Sequence, residues 1–221
     1  MARGGTSMMA GGVYHVISRF VAKDWFIESS VERRQYLALL DRALAKTDWR
    51  LFAYALMSSH VHLALVMGTQ PLRDWLRPMH TEFAKWINWR RERIGAVFVR
   101  GPNVIQVWPD GARRLIGYIH QNPVRGRVVA DVADSDWTSH RAYVGLATPP
   151  TCLDVEAGLA LAACDSGQEL AAWMQETRTT KRDLEKFRVR PVSKPGRPRM
   201  PTLRAKASRL REPAAEKAKP A

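Results

Sequence analysis

The stretch Leu51-Phe-Ala-Tyr-Ala-Leu-Met-Ser-Ser-His-Val-His-Leu-Ala-Leu-Val66 is the most apolar run of the chain and carries two of its six histidines. Its content of Leu, Val, Phe and Tyr, interrupted by Ser58 and Ser59, predicts two consecutive strands of a buried sheet. Because side chains alternate between faces along a strand, His60 and His62 share a face, with Cβ atoms roughly 7 Å apart. This spacing suits two ligands of one metal ion, although paired strand histidines can also be packing residues bonded to carbonyls.

A second stretch, residues 115–129, adds polar side chains of a complementary kind. Tyr118 and Asn122 lie four residues apart in a segment predicted to be helical, which Pro123 must end or bend. Residues four apart share one face of a helix, so a tyrosine, an amide and the two histidines can meet. His15, in the predicted first strand, is a further candidate metal ligand, but a lone strand histidine is more often a core residue.

Length and composition limit the class of protein. The 221 residues are enough for one domain with a substantial core and an appendage. No run approaches the roughly 20 apolar residues of a membrane span, and the N-terminus lacks the apolar centre of a signal peptide. We therefore expect a cytoplasmic protein with no membrane partner. Cys152 and Cys164 are the only cysteines, which argues against a disulfide framework or a cysteine-ligated zinc site.

The formal net charge of +14 is concentrated near the C-terminal end. Residues 178–221 hold 15 Lys and Arg against 4 Asp and Glu, which leaves 20 against 17 in residues 1–177. A nearly neutral body with a strongly basic tail fits a nucleic-acid protein with an added electrostatic anchor. A solvated tail without function is the alternative.

The hydrophobic patterns predict an alternating series of strands and helices. Strands are expected at 13–21 and within 51–66, and a weaker strand or hairpin, interrupted at 100–103, is expected at 97–108. Helices are expected at 31–46, 70–93 and 111–121, the last with Asp110 as its N-cap. This order predicts an α+β sandwich in which helices pack on one face of an antiparallel sheet.

The remaining chain divides by composition. We expect a flexible leader over 1–12, the main domain over 13–148, a helical extension over 149–189 and a disordered basic tail over 190–221. Two helices are expected in the extension, at 153–163 and 168–187, with Leu170, Trp173 and Met174 in contact. In the tail, Lys194-Pro-Gly-Arg-Pro-Arg199 resembles an AT-hook, whose arginine pair enters the minor groove of A·T-rich DNA, although a nonspecific basic tail explains it too.

Four ordered blocks together resemble one enzyme family. They are Tyr14-His-Val-Ile-Ser-Arg19, Tyr54-Ala-Leu-Met-Ser-Ser-His-Val-His-Leu63, Tyr118-Ile-His-Gln-Asn-Pro-Val-Arg125 and Trp137-Thr-Ser-His-Arg-Ala-Tyr143. The set is similar to the REP-associated tyrosine transposases, which belong to the superfamily of HUH single-strand nucleases and transposases. The resemblance covers residues 10 to 145 approximately and leaves out the C-terminal third.

The resemblance implies a single-tyrosine enzyme that nicks and rejoins DNA on a ferredoxin-like α+β core. Position by position, Tyr118 matches the nucleophile, His60 and His62 match the metal histidines, and Asn122 matches the polar residue that completes the metal site. The expected cofactor is Mg²⁺ or Mn²⁺, because the site lacks thiolates and must bind phosphate oxygen. The expected partner is single-stranded DNA bearing REP-like hairpins, bound by a monomer or a homodimer in the cytoplasm, in association with the nucleoid.

Several cationic residues are candidates for contacts with this DNA. Arg19, Arg125 and Arg127 belong to or follow the matched blocks, and Arg197 and Arg199 belong to the tail. All of them can equally be surface residues of a basic protein. His120, two residues after the tyrosine, is a candidate for proton transfer.

Two other functions stay open at this stage. The chain can be a domesticated DNA-hairpin-binding protein without catalysis, or a replication initiator or relaxase that shares the same nicking chemistry. A histidine-triad nucleotide hydrolase is disfavoured, because Ala64 stands where the third histidine of such a motif belongs.

Overall fold

A four-stranded antiparallel sheet forms the centre of the computed structural model, which describes residues 8–189. The strands are β1 (Val13–Arg19), β2 (Arg50–Met57), β3 (His60–Val66) and β4 (Asn103–Val107). They lie in the order β2-β3-β1-β4, and each neighbouring pair is antiparallel. The two strands predicted from the apolar run 51–66 are confirmed as β2 and β3, joined by a turn at Ser58 and Ser59.

Eight α-helices surround this sheet in the part of the chain from 8 to 189. They are α1 (Ser30–Leu44), α2 (Leu72–Arg90), α3 (Ala112–His120), α4 (Asn122–Arg125), α5 (His140–Tyr143), α6 (Val155–Ala162), α7 (Gly167–Glu176) and α8 (Lys181–Lys186). The strand and helix order from β1 to β4 is β-α-β-β-α-β, which with this strand order is the ferredoxin-like arrangement. The α+β class and the antiparallel sheet are therefore confirmed.

Helices α1 and α2 cover one face of the sheet, as predicted. Their apolar stripes pack on alternate strand residues, among them Val16 of β1 and Leu63 of β3, to form the larger hydrophobic core. Burial of this apolar surface stabilises the fold by about 25 cal/mol per Å². We call this side the α1/α2 face.

The opposite face is covered as well, which corrects the prediction of helices on a single face. Helix α3 packs on β2 and β3, and α6, α7 and α8 pack around α3. The reason lies in strands that are apolar on both sides: Phe52 and Ala55 of β2 and Ala64 of β3 are fully buried beneath α3. Strands buried on both faces read as continuous apolar runs. We call this side the α3 face.

The segment 97–108 is interrupted where predicted, and one predicted helix cap is wrong. Gly101, with φ of +76°, and Pro102 separate β4 from Phe98, which contributes only an isolated bridge to Phe20. Asp110 is not the N-cap of α3: it lies in a 3₁₀ turn over Pro109–Gly111, and α3 begins after Gly111 without a side-chain cap.

The C-terminal helices differ from prediction in number. The segment 168–187 forms two helices, since the chain leaves helical geometry at Thr177 and Thr180 caps a new helix in a capping box with Asp183. Leu170 and Met174 are buried against α3, with Trp173 partly buried beside them, as expected. Within residues 8–189 no helix combines the length and the apolar character that crossing a membrane requires. The basic tail, with Arg197, Arg199 and the AT-hook-like segment, lies outside the described residues.

Candidate active site

Strand register sets which side chains share the α3 face. In the β1–β3 pair, Arg19 lies opposite His60 and Ile17 lies opposite His62. Residues opposite one another in an antiparallel pair point to the same face, and alternate residues of each strand do so too. His15, two residues before Ile17, therefore joins His60 and His62 on this face.

The three histidine rings form a contiguous group. His15 Nε2 and His62 Nδ1 are 2.8 Å apart in a buried hydrogen bond, and the two rings stack with centroids 5.0 Å apart. The His60 and His62 rings meet edge to face at 4.8 Å. His60 Nδ1 lies 3.0 Å from Ser59 Oγ. In both His60 and His62 the Nδ1 atom is thus engaged, which leaves Nε2 of each ring for another partner.

Tyr118 of α3 lies against this group. Its ring centroid is 5.8 Å from that of His15 and 5.9 Å from that of His62, with both contacts edge to face. The tyrosine is half-buried rather than enclosed, and it lines the cleft described below. Of the two histidines predicted to meet Tyr118, His62 contacts its ring, whereas His60 shares only the cleft with it, and His15 makes the second ring contact.

Asn122 follows Tyr118 by one helical turn, across the junction between α3 and α4. Helix α3 ends at His120, just before Pro123, and its last turn is closed by the hydrogen bond from Gln121 N to Gly117 O. The chain then enters α4 at Asn122. The Asn122 amide nitrogen donates to Tyr118 O at 3.1 Å. This hydrogen bond orients the amide and leaves its oxygen as the atom that can face a cation.

One cleft of about 330 Å³ contains all of these groups. Its lining includes every predicted catalytic and metal residue, Tyr118, His60, His62 and Asn122, together with His15. Cationic residues line it as well: Arg19 of β1, Lys23 in the turn after β1, Lys181 of α8 and Arg188 after α8. Because the lining comes from β1, β3, β4, α3, α4 and α8, the site requires the folded sheet and helices together.

The histidines are held neutral by their surroundings. Burial, with Arg19 and His60 adding repulsion, lowers the pKa of His15 to about 3. Burial also holds the pKa of His62 well below its usual value, helped by His15, His60 and the nearby arginines. The pKa of His60 is lowered by burial and by Arg19. Neutral imidazole is the form that ligates metal ions, so the group is prepared for that role at neutral pH.

Three side chains of the cleft carry atoms that can serve as donors to a divalent cation. Across residues 8–189 no three side chains of His, Cys, Asp or Glu gather in a metal-binding group, so a purely His and carboxylate site is absent there. Two imidazole nitrogens and one amide oxygen are the available donors, from His60, His62 and Asn122. Such a partial set leaves coordination positions for phosphate oxygens, as Mg²⁺ and Mn²⁺ sites in phosphoryl transfer commonly do.

The candidate DNA-binding arginines are in three different situations. Arg19 lines the cleft. Arg125 instead covers the Tyr118 ring, with its guanidinium carbon 4.0 Å from the ring centroid, and donates to the carbonyls of Tyr118 and Thr179. Arg127 is exposed and has φ of +55°. Arg125 therefore holds α3, α4 and the segment before α8 together.

His120 is turned away from the cleft. It is fully buried, and its Nε2 lies 2.8 Å from Ser139 Oγ, which in turn accepts from Tyr54 N. Residues two positions apart on a helix, such as Tyr118 and His120, point in different directions. His120 consequently links α3 to β2 and to the 137–143 block, and the structure does not bring it to Tyr118 for proton transfer.

Helix α8 contributes to the cleft in a way that the sequence patterns do not predict. The segment that follows it is held beside β4 by hydrogen bonds from Val189 N to Gln106 O at 2.9 Å and from Trp108 N to Phe187 O at 2.8 Å. Lys181 of α8 and the following Arg188 reach the cleft lining. The only sequence signal was the capping pattern at Thr180 and Asp183, which marks a helix but not its position.

Comparison with known proteins supports the fold. No protein-family model matches the sequence, and no curated protein matches it. Among solved structures, the chain is similar to a REP-associated tyrosine transposase bound to a REP hairpin, with a TM-score of 0.57 and 14% sequence identity. The similarity covers 70% of this chain and 93% of that chain. The fold that the sequence resemblance implied is therefore confirmed.

A second similar structure is a candidate transposase from Deinococcus radiodurans R1. Its TM-score is 0.38 at 14% identity, over 57% of this chain and 92% of that chain. The fold comparison accordingly depends on the first structure.

Proposed function

We propose that this protein is a REP-associated tyrosine transposase that nicks and rejoins single-stranded, hairpin-bearing DNA through Tyr118. The observation that carries the proposal is the placement of Tyr118 edge-on to His15 and His62 in one cleft with His60 and Asn122. A binding protein has no need of a half-buried tyrosine beside neutral histidines. DNA in the nucleoid of the cytoplasm is the expected substrate.

The proposed reaction is a phosphoryl transfer. The Tyr118 hydroxyl oxygen attacks the scissile phosphorus in line and releases its proton to solvent, while the bond from phosphorus to the 3′ oxygen breaks. The 3′ oxygen takes up a proton from solvent and leaves as a hydroxyl. The 5′ side of the break stays on Tyr118 as a phosphotyrosine. Because the new bond conserves the energy of the old one, the 3′-hydroxyl of another strand can reverse the step without nucleotide hydrolysis.

His60, His62 and Asn122 would hold the cation of this reaction. A bound Mg²⁺ or Mn²⁺ supplies neutralisation of the phosphate charge and orientation of the scissile bond. The chain itself contributes the neutral state of both imidazoles and the orientation of the amide through Tyr118 O. Arg125, packed on the ring of Tyr118, restricts the orientation of that ring.

The rim of the cleft suits a nucleic-acid backbone. Arg19 and Lys23 stand on one side, and Lys181 and Arg188 on the side of α8. Cations of this kind bind phosphates through counterion release and position a strand without reading its bases. The hairpin as partner is taken from the similar structure, which was solved with a REP hairpin.

The test is adduct formation with labelled single-stranded hairpin DNA and Mn²⁺, resolved on a denaturing gel. We expect a metal-dependent covalent adduct with the native protein, none with Tyr118→Phe, and an unchanged hairpin affinity for that variant. Tyr54→Phe, which alters a buried tyrosine of the other core, is the matched control and should keep the adduct. An adduct that persists in Tyr118→Phe would refute the assignment.

The same experiment separates the alternatives. Hairpin binding without an adduct over a panel of hairpins would favour a domesticated DNA-binding protein. Nicking that ignores hairpins would favour a replication initiator or relaxase.

A further inference from the structure

In the hydrogen bond between His15 and His62, the choice of donor ring determines whether His62 Nε2 can bind a cation. Both rings are almost fully buried, at 2% and 3% exposure, and the two nitrogens are 2.8 Å apart. A neutral imidazole has one N–H and one lone pair, so one ring must donate and the other must accept.

The two possible arrangements have opposite consequences for the cleft. If His62 Nδ1 donates to His15 Nε2, then His62 Nε2 carries a lone pair and can bind a cation. If His15 Nε2 donates instead, His62 Nδ1 accepts and His62 Nε2 carries a proton, which prevents ligation. The tautomer of His62 therefore decides whether a metal site exists.

The proposed metal site requires the first arrangement. A metal-binding imidazole commonly donates its other ring N–H to a neighbouring acceptor, and His15 Nε2, 2.8 Å from His62 Nδ1, is placed to accept it. His60 has a comparable arrangement, since its Nδ1 is paired with Ser59 Oγ at 3.0 Å.

We propose that His15 is a positioning residue that accepts a hydrogen bond from His62 Nδ1 and thereby keeps His62 Nε2 available to a divalent cation. This inference rests on the proposed metal site, although not on the nicking reaction. It assigns the histidine of β1 an orienting role rather than ligation. Partners that fix the ring orientation and tautomer of a metal-binding histidine commonly contribute 10–100-fold, roughly, to metal affinity.

The first test is binding of Mn²⁺ to the full chain without DNA, followed by electron paramagnetic resonance. His15→Phe fills the space but cannot accept a hydrogen bond, and we expect about 10–100-fold weaker Mn²⁺ binding. His15→Gln offers a side-chain oxygen as acceptor and should recover most of that affinity. His80→Phe is the matched control, because burial lowers the pKa of His80 to about 3 as it does for His15, and His80 lies on the α1/α2 face. Native affinity in His15→Phe, or no rescue by Gln, would overturn the proposal.

A second measurement does not depend on any variant folding. Nitrogen-15 chemical shifts of His62 in the native protein report which ring nitrogen carries the proton. We expect a protonated Nδ1 and an unprotonated Nε2 before metal is added, and a proton on Nε2 would overturn the proposal. Since neither experiment contains DNA, a protein that never forms a phosphotyrosine can still pass both, and the proposed function can fail separately.

Discussion

The two faces of the sheet are built from the same strands but have different chemistry. Along β3, Val61, Leu63 and Leu65 enter the core under α1 and α2, whereas His60 and His62 alternate with them and reach the cleft under α3. The first face is closed by large apolar side chains. The second combines alanines, which let α3 approach, with imidazoles that need polar partners. Neighbouring residues of β3 therefore have different roles: those on one face stabilise the fold, and those on the other face line the cleft.

Buried histidines on the two faces show what marks a candidate site. Burial lowers the pKa of both His15 and His80 to about 3. His80 is satisfied by the Tyr36 hydroxyl at 3.1 Å and stacks on Phe98 with centroids 4.0 Å apart. His15 instead meets a second histidine and a half-buried tyrosine. A lowered pKa is therefore common to both, and the neighbouring groups distinguish the cleft.

The largest expected effect comes from alanine substitutions at two adjacent residues of β3 that point to opposite faces of the sheet. His62→Ala removes a proposed cation ligand and should reduce adduct formation by at least about 100-fold. Residues that only hydrogen-bond to a metal ligand already contribute up to about 100-fold to metal affinity or activity. Leu63→Ala should leave the adduct intact below its melting temperature while lowering the free energy of unfolding by about 2–5 kcal/mol. Denaturant titration and the adduct gel, applied to both variants, measure the two effects.

The two faces would not have separate roles if one substitution affected both stability and adduct formation. A Leu63→Ala protein that is folded but inactive would mean that the α1/α2 core tunes the cleft directly. Val61→Ala, on the same face as Leu63 and one residue from His60, checks that result at a second position.

Sequence reasoning found the residues of the cleft but not its whole enclosure. His60, His62, Tyr118 and Asn122 could be brought together because strand alternation and helical spacing are local rules. The layer on the α3 face could not be predicted in the same way. Whether an apolar strand is buried on one side or both depends on helices far away in sequence, such as α6 and α7. The His15–His62 hydrogen bond is likewise a tertiary contact between two strands, β1 and β3, and local spacing does not predict it.

A smaller effect is expected at the rim that α8 adds to the α3 face. Lys181→Ala and Arg188→Ala should each weaken hairpin binding and reduce the slope of log affinity against log salt by about 0.7–1. Lys186→Ala is the matched control, because Lys186 is on the same helix but pairs with Asp183 and does not line the cleft. Equal slopes for Lys181→Ala and Lys186→Ala would mean that α8 contributes no phosphate contact. Binding titrations at several salt concentrations provide the measurement.

Removal of residues 190–221 sharpens the assignment of that rim. If the tail is the electrostatic anchor that its charge suggests, truncation should reduce the salt slope by more than either single substitution. An unchanged slope would leave the cleft rim as the main source of affinity.

The smallest effect is expected on the α1/α2 face, at the carboxylate of Glu32. It accepts from Ser29 N at 2.6 Å in the capping box of α1 and pairs with Arg91 at 3.3 Å. Burial alone would raise its pKa, but the Ser29 hydrogen bonds and Arg91 outweigh burial and lower it. A lowered pKa means stabilisation that is present above the unfolded pKa and lost as pH falls through the folded pKa.

Glu32→Gln keeps the capping geometry and removes only the charge, so its cost isolates the electrostatic part of the α1/α2 face. We expect a loss of about 1–2 kcal/mol at pH 7, which narrows as pH falls below about 4.5, where the native carboxyl also becomes protonated. Asp74→Asn, at an exposed pair with Arg73, should change stability by less than about 0.5 kcal/mol. Adduct yield per folded molecule should stay at the native level in both variants, because neither carboxylate faces the cleft. A lowered yield in Glu32→Gln at full folding would show that the two faces are coupled through α1.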